Sequence, residues 1–321
     1  MKYVLAPLAD YTDAPFRLMC FEGGADMAYT EMVSAAALAH AHGPSERLLV
    51  MMPGEGPVGC QIFGSSESDV AAAARKVSGR GFSELNLNAG CPMKTVTRSG
   101  AGAKLLDDPA KIGRLLKAMK ENTDLPVTLK TRLGPHPART TVYDILGEAE
   151  RAGASGISIH ARYASQLHGG EVHLDELARV VETARIPVTG NGSVRTPREA
   201  SGMSATGVSA IMIGRGALAD PSIFRRLREG GDVAAPDGPS LCAKHLGYIL
   251  KFREMLAARH PGERIPSPDA FASVKMHRHL FRYFGGLPGA AAMRARLNSV
   301  RTVAEIYDII TSYANGRHTQ A

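Results

Sequence analysis

The chain of 321 residues contains no tryptophan, and only 6% of its residues are aromatic. It lacks any apolar run near the ~18 residues that a membrane-spanning helix needs. Residues 3–6 already have the pattern of a β-strand and not of a signal peptide, so we expect a cytoplasmic protein without a membrane segment. The composition, 44% hydrophobic and 21% charged, is typical of a globular protein and excludes a fibrous or disordered chain.

Cysteine is scarce and scattered. The four cysteines, Cys20, Cys60, Cys91 and Cys242, form no C-x-x-C pair. This pattern suggests neither a disulfide framework nor a zinc cluster. We expect Cys20, Cys60 and Cys242 to be small buried apolar residues, whereas Cys91 lies in an unusual segment of the chain.

Acidic residues are few in the last quarter of the chain. Residues 241–321 contain 12 Lys and Arg against five Asp and Glu, and this difference equals the whole formal charge of +7. A neutral body with a basic appendage indicates a polyanionic partner, most commonly nucleic acid. A solvated basic helical surface would give the same pattern, so charge alone leaves both interpretations open.

Short β-branched or apolar runs alternate with segments of helical period that begin at capping residues such as Asp13, Ser66, Asp108 and Thr196. Eight such units in roughly 230 residues predict an α/β fold of the (β/α)8 TIM-barrel type. No G-x-G-x-x-G follows the first run, which disfavours a Rossmann domain. The predicted strands are residues 3–6, 27–30, 59–63, 84–88, 127–130, 156–160, 187–190 and 210–213.

A stretch rich in glycine, proline and alanine over residues 230–240 predicts a domain boundary. We expect a catalytic barrel domain over residues 1–235 and a helical domain over residues 241–321. Beyond the boundary the periodicity is only helical, which predicts a small bundle of roughly four helices. These helices are predicted over residues 241–259, 269–284, 288–298 and 302–313.

Polar side chains recur where the predicted strands end, which is where barrels of this type carry their active sites. Lys130 and His160 follow neighbouring strands and could place a cation and a hydrogen-bond donor against the pyrimidine edge of a flavin. A buried lysine without a partner is costly, so a chance core lysine is disfavoured. The strand-end residues are Glu31, Gln61, Asn88, Cys91, Lys130, Arg132, His160, Arg162, Asn191, Gly192, Ser193, Gly214 and Arg215.

Two glycine-containing turns, residues 190–193 and 214–216, follow the last two predicted strands. Such loops often hold a phosphate, because glycine lets backbone N–H groups approach it and Arg215 adds a fixed cation. Either turn alone would be an ordinary tight turn. The two together, on adjacent strands, favour a phosphate site.

Residues 86–92, Asn-Leu-Asn-Ala-Gly-Cys-Pro, form the most specific segment of the chain. Cys91 follows a strand and a turn glycine and precedes a proline, so its thiol should project over the barrel mouth on a stiff loop. A cysteine in this position could be a nucleophile or a proton donor. Because an ordinary thiol is protonated at neutral pH, a general acid is favoured.

A series of short motifs runs along the chain: APLA at 6–9, TDAPFR at 12–17, TEMVS at 30–34, QIFG at 61–64, NAGCP at 88–92, GAGA at 100–103, KTRLG at 130–134, HAR at 160–162, NG at 191–192, IGRGAL at 213–218 and HLFRYFGGLPG at 279–289. In this order they resemble the flavin-dependent tRNA-dihydrouridine synthases. The last motif is similar to the helical RNA-binding domain of that family, and NAGCP is the most specific.

The resemblance implies an FMN-bearing barrel, monomeric and cytoplasmic, that reduces selected uridines in tRNA or another structured RNA, with NADPH or NADH reloading the flavin. Hydride would pass from flavin N5 to C6 of uracil, Cys91 would donate a proton to C5, and Asn88 and Arg162 would contact the uracil. By match, FMN would be held by Pro7, Leu8, Ala9, Gln61, Lys130, His160, Asn191, Gly192, Ser193, Gly214 and Arg215.

Four residues depart from the motifs as the family commonly has them. Asp10 and Ala161 stand where glycine is common, Ala89 stands for methionine, and Ser193 stands for an acidic residue. The last two leave the chemistry intact. They also leave open the subfamily, and therefore which uridine is reduced.

Three basic residues near the C-terminus, Lys275, Arg278 and Arg282, follow i, i+3, i+7 spacing and share one helix face. We expect this face to contact the RNA backbone. The alternative is that each merely solvates the bundle.

Three other functions remain open on the residues alone. One is a flavoenzyme for a free pyrimidine or small enone, the second a lyase that forms a Schiff base on Lys130, and the third a non-catalytic RNA-binding protein on a decayed barrel. The basic tail argues against the first two, and the full set of polar strand ends argues against the third.

Overall fold

The computed structural model describes residues 1–40, 43–230, 237–285 and 296–315. Nine parallel strands form one sheet in the order β2-β1-β9-β8-β7-β6-β5-β4-β3. Because β2 also pairs with β4, the sheet closes into a barrel of eight strands, and β3 pairs with β4 alone. The strands are β1 Lys2–Leu5, β2 Met27–Tyr29, β3 Val33–Ser34, β4 Val58–Phe63, β5 Glu84–Ala89, β6 Val127–Arg132, β7 Gly156–His160, β8 Val188–Asn191 and β9 Ala210–Ile213.

The predicted TIM barrel and all eight of its predicted strands are confirmed. Barrel strands are covered on both faces, which explains why they are recognisable as continuous apolar runs; every residue of β9 is buried. The two residues of β3 were not predicted, because a strand this short has no periodicity to detect.

Helices follow the strands, and several begin at the predicted caps. The Asp13 carboxylate accepts the Phe16 N–H at 3.2 Å, and Thr196 forms a capping box with Glu199. The helices are α1 Ala14–Glu22, α2 Ala35–Ala39, α3 Gly43–Arg47, α4 Glu67–Val77, α5 Lys94–Thr97, α6 Pro109–Lys120, α7 Val142–Arg151, α8 Leu174–Thr183, α9 Pro197–Ala205, α10 Ile223–Arg228, α11 Gly238–Arg259, α12 Pro268–Tyr283 and α13 Val303–Ala314. Short 3-10 turns occur at Gly102–Asp107, Ala164–Gln166 and Arg215–Ala217.

Helices α11, α12 and α13 share an apolar core of their own, which includes Leu246, Met276, Leu280 and Ile306. Met19 of α1 is buried in the same cluster, so the helical part packs directly on the barrel through α1. The cysteines predicted to be apolar, Cys20, Cys60 and Cys242, are all buried.

Three of the predicted C-terminal helices correspond to α11, α12 and α13. Most of the predicted helix 288–298, residues 286–289 of the last motif and residues 231–236 of the proposed boundary lie outside the described residues. Helix α11 begins at Gly238, three residues before the predicted start. Gly238 and Pro239 had the pattern of chain breakers, but Asp237 caps the Ser240 N–H and the proline occupies the first turn, where it needs no N–H donor.

Searched over the described residues, the helices include none with the length and apolar character that crossing a membrane requires.

Candidate active site

The carboxyl ends of the barrel strands surround a cavity of about 410 Å³. Residues of α12 complete its wall, so the helical part of the chain reaches the barrel mouth. Active sites of parallel barrels lie at this end, and the cavity is therefore the candidate active site. The predicted site residues that line it are Pro7, Leu8, Ala9, Asn88, Cys91, Lys130, His160, Arg162, Asn191, Ser193, Gly214, Arg215, Arg278 and Arg282.

Three predicted site residues, Gln61, Gly192 and Lys275, are not part of this wall. Gln61 is buried and accepts a hydrogen bond from Nδ2 of Asn88 at 2.9 Å, so it orients a wall residue. Gly192 has φ +155°, and a Cβ there would lie only 2.8 Å from a Val172 methyl group. Only glycine fits this position, and it shapes the turn between Asn191 and Ser193.

The loop that carries Cys91 is fixed on both sides. Oδ1 of Asn88 accepts the backbone N–H groups of Gly90 at 3.1 Å and Cys91 at 3.0 Å. The Cys91 carbonyl accepts the Ala103 N–H at 2.9 Å. These three bonds hold the partly buried Cys91 at the cavity wall without using its thiol.

Lys130 and His160 lie in the cavity beside the guanidinium groups of Arg132 and Arg162. The Lys130 ammonium donates to Oδ1 of Asn191 at 3.3 Å, and burial, reinforced by Arg132, lowers the pKa of Lys130 to about 7. Burial and the positive charge of Lys130 and Arg132 also hold the pKa of His160 far below its ordinary value. Among the described residues no carboxylate pairs with either group, so an anionic or electron-rich ligand would stabilise both.

Arg162 fixes the tautomer of His160. Its Nη1 lies 3.2 Å from Nε2 of His160, and because arginine can only donate, Nε2 accepts and the ring proton resides on Nδ1. Nη2 of Arg162 donates at 2.8 Å both to Oγ of Ser193 and to the Gly170 carbonyl. Arg162 therefore connects the ends of β7 and β8 with the loop over residues 164–173.

Arg132 ends β6, and the sequence pattern alone predicts no role for it, whereas the structure shows its contacts. Its Nε donates to the Gly90 carbonyl at 2.7 Å, beside Cys91, and its Nη1 donates to the Tyr163 carbonyl at 3.2 Å. Burial lowers its pKa to about 10, well within the charged range at neutral pH. Arg132 thus stabilises the Cys91 loop and adds positive charge to the cavity wall.

Two further wall residues, His168 and Arg195, were missed. The His168 ring stacks near His160 with 6.3 Å between ring centroids, and its carbonyl accepts from Nη2 of Arg215 at 2.7 Å. The adjacent glycines at 169 and 170 signal a turn, but nothing local in the sequence shows that this loop folds back over the mouth. Arg195 comes shortly after the predicted glycine turn at residues 190–193. This position in the sequence could have identified it as a residue of the cavity wall.

Asp10, one of the four departures from the family motifs, has φ +67°, a backbone conformation that favours glycine. Its N–H is accepted by Glu31, and its carboxylate lies 2.7 Å from Nη1 of Arg278. Among the described residues, Asp10 is the one carboxylate in the cavity wall. The strained backbone at Asp10 is therefore held in place by Glu31, which precedes β3, and by Arg278 of α12.

The predicted basic face of α12 does turn toward the barrel. Lys275 lies 3.1 Å from Asp13, and Arg278 pairs with Asp10, so two of its three cations bind carboxylates of the β1–α1 loop. Burial alone would raise the pKa of Asp13, but the neighbouring Lys275, His245 and His279 together outweigh this effect and the net pKa is lowered. Arg282 lines the cavity and has no carboxylate partner among the described residues.

Solved structures with a similar fold include morphinone reductase. The chain matches it with a TM-score of 0.54 and 13% identity, over 74% of this chain and 87% of that one. Morphinone reductase in complex with tetrahydroNAD matches with a TM-score of 0.51 and 13% identity, over 74% and 88%. At this identity the likeness establishes the barrel fold alone.

The fold and the site together define a barrel enzyme with a cationic cavity, a thiol in its wall and a basic helical appendage. A model of the dihydrouridine synthase family matches residues 4–315, and the chain belongs to this family. It is 33% identical to a probable tRNA-dihydrouridine synthase of Mycobacterium tuberculosis over 94% of this chain and 79% of the relative. It is 32% identical to tRNA-dihydrouridine synthase B of Pseudomonas aeruginosa over 94% and 89%, respectively.

The resemblance predicted from the motifs is thus confirmed, and the protein is an oxidoreductase of this family. Family membership favours this chemistry over a Schiff-base lyase and over a non-catalytic barrel. The roles of the individual site residues stay predictions.

Proposed function

We propose that the protein reduces the C5=C6 bond of specific uridines in tRNA to dihydrouridine, with FMN as its flavin and NADPH or NADH as reductant. The observation that carries the proposal is that Cys91, Lys130 and His160, from three adjacent strands, line one cavity. A proton donor and two groups suited to a flavin are therefore in reach of the same ligand. The tRNA relatives support RNA as the substrate.

The residues present fit FMN. When bound, FMN supplies a hydride to the uracil ring. Lys130 and the Nδ1–H of His160 are donors for the electron-rich pyrimidine edge of a flavin, and neither has a carboxylate partner within the described chain. Arg215, the turn at Gly192 and the turn at Gly214 offer a guanidinium and backbone N–H groups for the phosphate.

The chain's own residues then have separable tasks. Lys130 and His160 orient the flavin and favour negative charge on its pyrimidine edge. Asn88 and Arg162 contact the uracil, and Cys91 donates its proton to C5. Asn88 also orders the Cys91 loop through its own side chain, so it connects uracil binding with the position of the acid.

The target uridine must leave its stack to enter a cavity at the barrel mouth, and this costs least in a loop or an already distorted region. We propose that the barrel domain, residues 1–235, carries the chemistry and that the helical domain, residues 241–321, binds the tRNA. The protein is proposed to act in the cytoplasm, because its tRNA partner is found there. It is also proposed to act as a monomer.

The test uses the purified protein. Flavin released by denaturation should be FMN, and NADPH or NADH should reduce the bound flavin anaerobically. Unmodified tRNA transcript should then reoxidise it and gain dihydrouridine, measured by mass spectrometry of its nucleosides. A protein that binds no FMN would refute the proposal, and reoxidation by free uracil but not by tRNA would favour the small-molecule reductase.

The basic face of α12 gives a second prediction. Neutralising Lys275, Arg278 and Arg282 together should weaken tRNA binding and flatten its salt dependence, while flavin content stays unchanged. Of the single variants, Arg282→Ala should lower the slope of log K against log salt most, by about 0.7–0.9, because Arg282 has no carboxylate partner within the described chain to exchange for a phosphate. Lys275→Met should act mainly on thermal stability through its pairing with Asp13. Equal slopes for the triple variant and the wild type would contradict the proposed face.

A further inference from the structure

Three arginines from separate chain segments line the cavity, and two of them lie close enough to the third for their charges to lower its pKa. Arg195 lies in the β8–α9 loop, Arg215 follows β9, and Arg282 lies on α12, and all three line the cavity wall. Among the described residues none of them forms an ion pair, although Arg215 donates to the His168 carbonyl. The other two predicted cations of α12, Lys275 and Arg278, each have a carboxylate.

The acidic residue nearest in sequence to Arg195 is already committed. The Glu199 carboxylate accepts the backbone N–H groups of Arg195 at 2.8 Å and Thr196 at 3.0 Å, and the Thr196 hydroxyl at 3.0 Å. It therefore completes the capping box that Thr196 forms at the start of α9. Arg195 is exposed and its guanidinium is open to a ligand.

The three charges act on one another. Burial, then the charge of Arg195 and then that of Arg282, lower the pKa of Arg215. Like charges gathered without a carboxylate repel, and a bound anion relieves that repulsion while gaining charge-assisted hydrogen bonds. If Arg215 serves the flavin phosphate, Arg195 and Arg282 remain for a second anion beside it.

We propose that Arg195 and Arg282 together bind one backbone phosphate of the substrate RNA where the strand crosses from α12 to the barrel mouth. The inference rests on the proposed RNA substrate. RNA is favoured over a free nucleotide because Arg282 lies on α12, in the last quarter of the chain, which carries the whole formal charge of +7. A polyanion that approaches the flavin phosphate also needs compensating cations at this place. The RNA surface would then include the barrel itself and not only residues 241–321.

Arg195→Ala tests the inference, with Arg198→Ala as its matched control. Arg198 lies three residues further on, is exposed and does not line the cavity. Replacing it with alanine removes the same charge as Arg195→Ala does, but outside the cavity. We expect Arg195→Ala to raise the KM for tRNA and the Kd about tenfold, and to lower the salt slope by about 0.7–0.9. FMN content and the KM for NADPH should not change, and Arg198→Ala should behave like the wild type.

A double-mutant cycle with Arg282→Ala tests the shared phosphate. If both arginines bind one phosphate, the double variant should lose clearly less than the product of the two single losses. Multiplicative losses would overturn the shared site.

Other outcomes would also overturn the inference. Loss of FMN in Arg195→Ala would assign Arg195 to the flavin phosphate, and a higher KM for NADPH but not for NADH would assign it to the nicotinamide cofactor. Equal effects of the Arg195 and Arg198 substitutions would show that Arg195 acts only through the net charge of the protein and not through a specific phosphate site. A wild-type protein that neither binds nor reduces tRNA would instead refute the proposed function, which is visible before any variant is made.

Discussion

Replacing Cys91 with alanine should slow the reduction of uridine in tRNA by about 10²–10⁴-fold while leaving flavin content and its reduction by NAD(P)H unchanged. Neither flavin binding nor its reduction uses the thiol. Uridine reduction does, because an enolate without an acid on its far face returns the hydride. The loop itself should persist, since Asn88 and Ala103 hold the backbone of Cys91 and not its side chain.

The measurement is the rate at which substrate tRNA reoxidises the flavin after anaerobic reduction. Cys91→Ser should recover little activity, because a hydroxyl is a far weaker acid than a thiol. Cys242→Ala is the control, since it removes a thiol buried in the helical core, away from the cavity. Unimpaired reoxidation in Cys91→Ala would remove Cys91 from the mechanism.

The barrel could be predicted because its strands carry a strong local signal. Runs such as Ala210–Ile213 are buried on both faces and stay apolar throughout, and caps such as Asp13 mark where helices begin. The start of α11 was placed three residues late because Gly238 and Pro239 are breakers in most contexts and first-turn residues in this one. Gly238 and Pro239 belong to the first turn here because Asp237 caps the helix, and this contact decides between the two possibilities.

The site was partly predictable for a topological reason. In a parallel barrel all strands end at one mouth, so Lys130 and His160 could be assigned to the same cavity without knowledge of any loop. Arg195 and His168 reach the mouth from loops. Loops lack the periodic apolar pattern that marks strands and helices, so their paths could not be predicted from the sequence. Lys275 illustrates the converse: its helix face was predictable, but its carboxylate partner Asp13 lies 262 positions away in the numbering and could not be assigned.

Substituting Lys130 with methionine should have two opposite effects. The variant should lose about 10–100-fold in FMN affinity, because a charge-assisted hydrogen bond to the flavin disappears. The flavin-free variant should nevertheless be more stable than the flavin-free wild type near pH 7. Burial lowers the pKa of Lys130 from 10.5 to about 7, so the folded chain bears the cost of an unfavourably placed ammonium group.

The pH dependence of that gain is fixed by the two pKa values. Between about pH 7 and 10.5 the unfolded wild type holds more protons at this lysine than the folded protein, so wild-type stability rises with pH relative to the variant. The advantage of Lys130→Met should therefore be greatest at and below pH 7, and should fade toward pH 10. One pKa unit corresponds to about 1.4 kcal/mol, and allowing for solvent screening we expect a gain of about 1–3 kcal/mol, or several degrees in Tm.

Thermal unfolding of the flavin-free proteins at pH 6.5 and at pH 9.5 would measure this, with Lys251→Met as the control. Lys251 lies on the exposed side of α11, so the same substitution there should give no gain that depends on pH. Adding FMN should reverse the order, because the wild type gains binding energy that the variant lacks. A flavin-free Lys130→Met protein less stable than the wild type at pH 6.5 would show that Lys130 is a structural residue, not one kept at a cost in stability for the ligand.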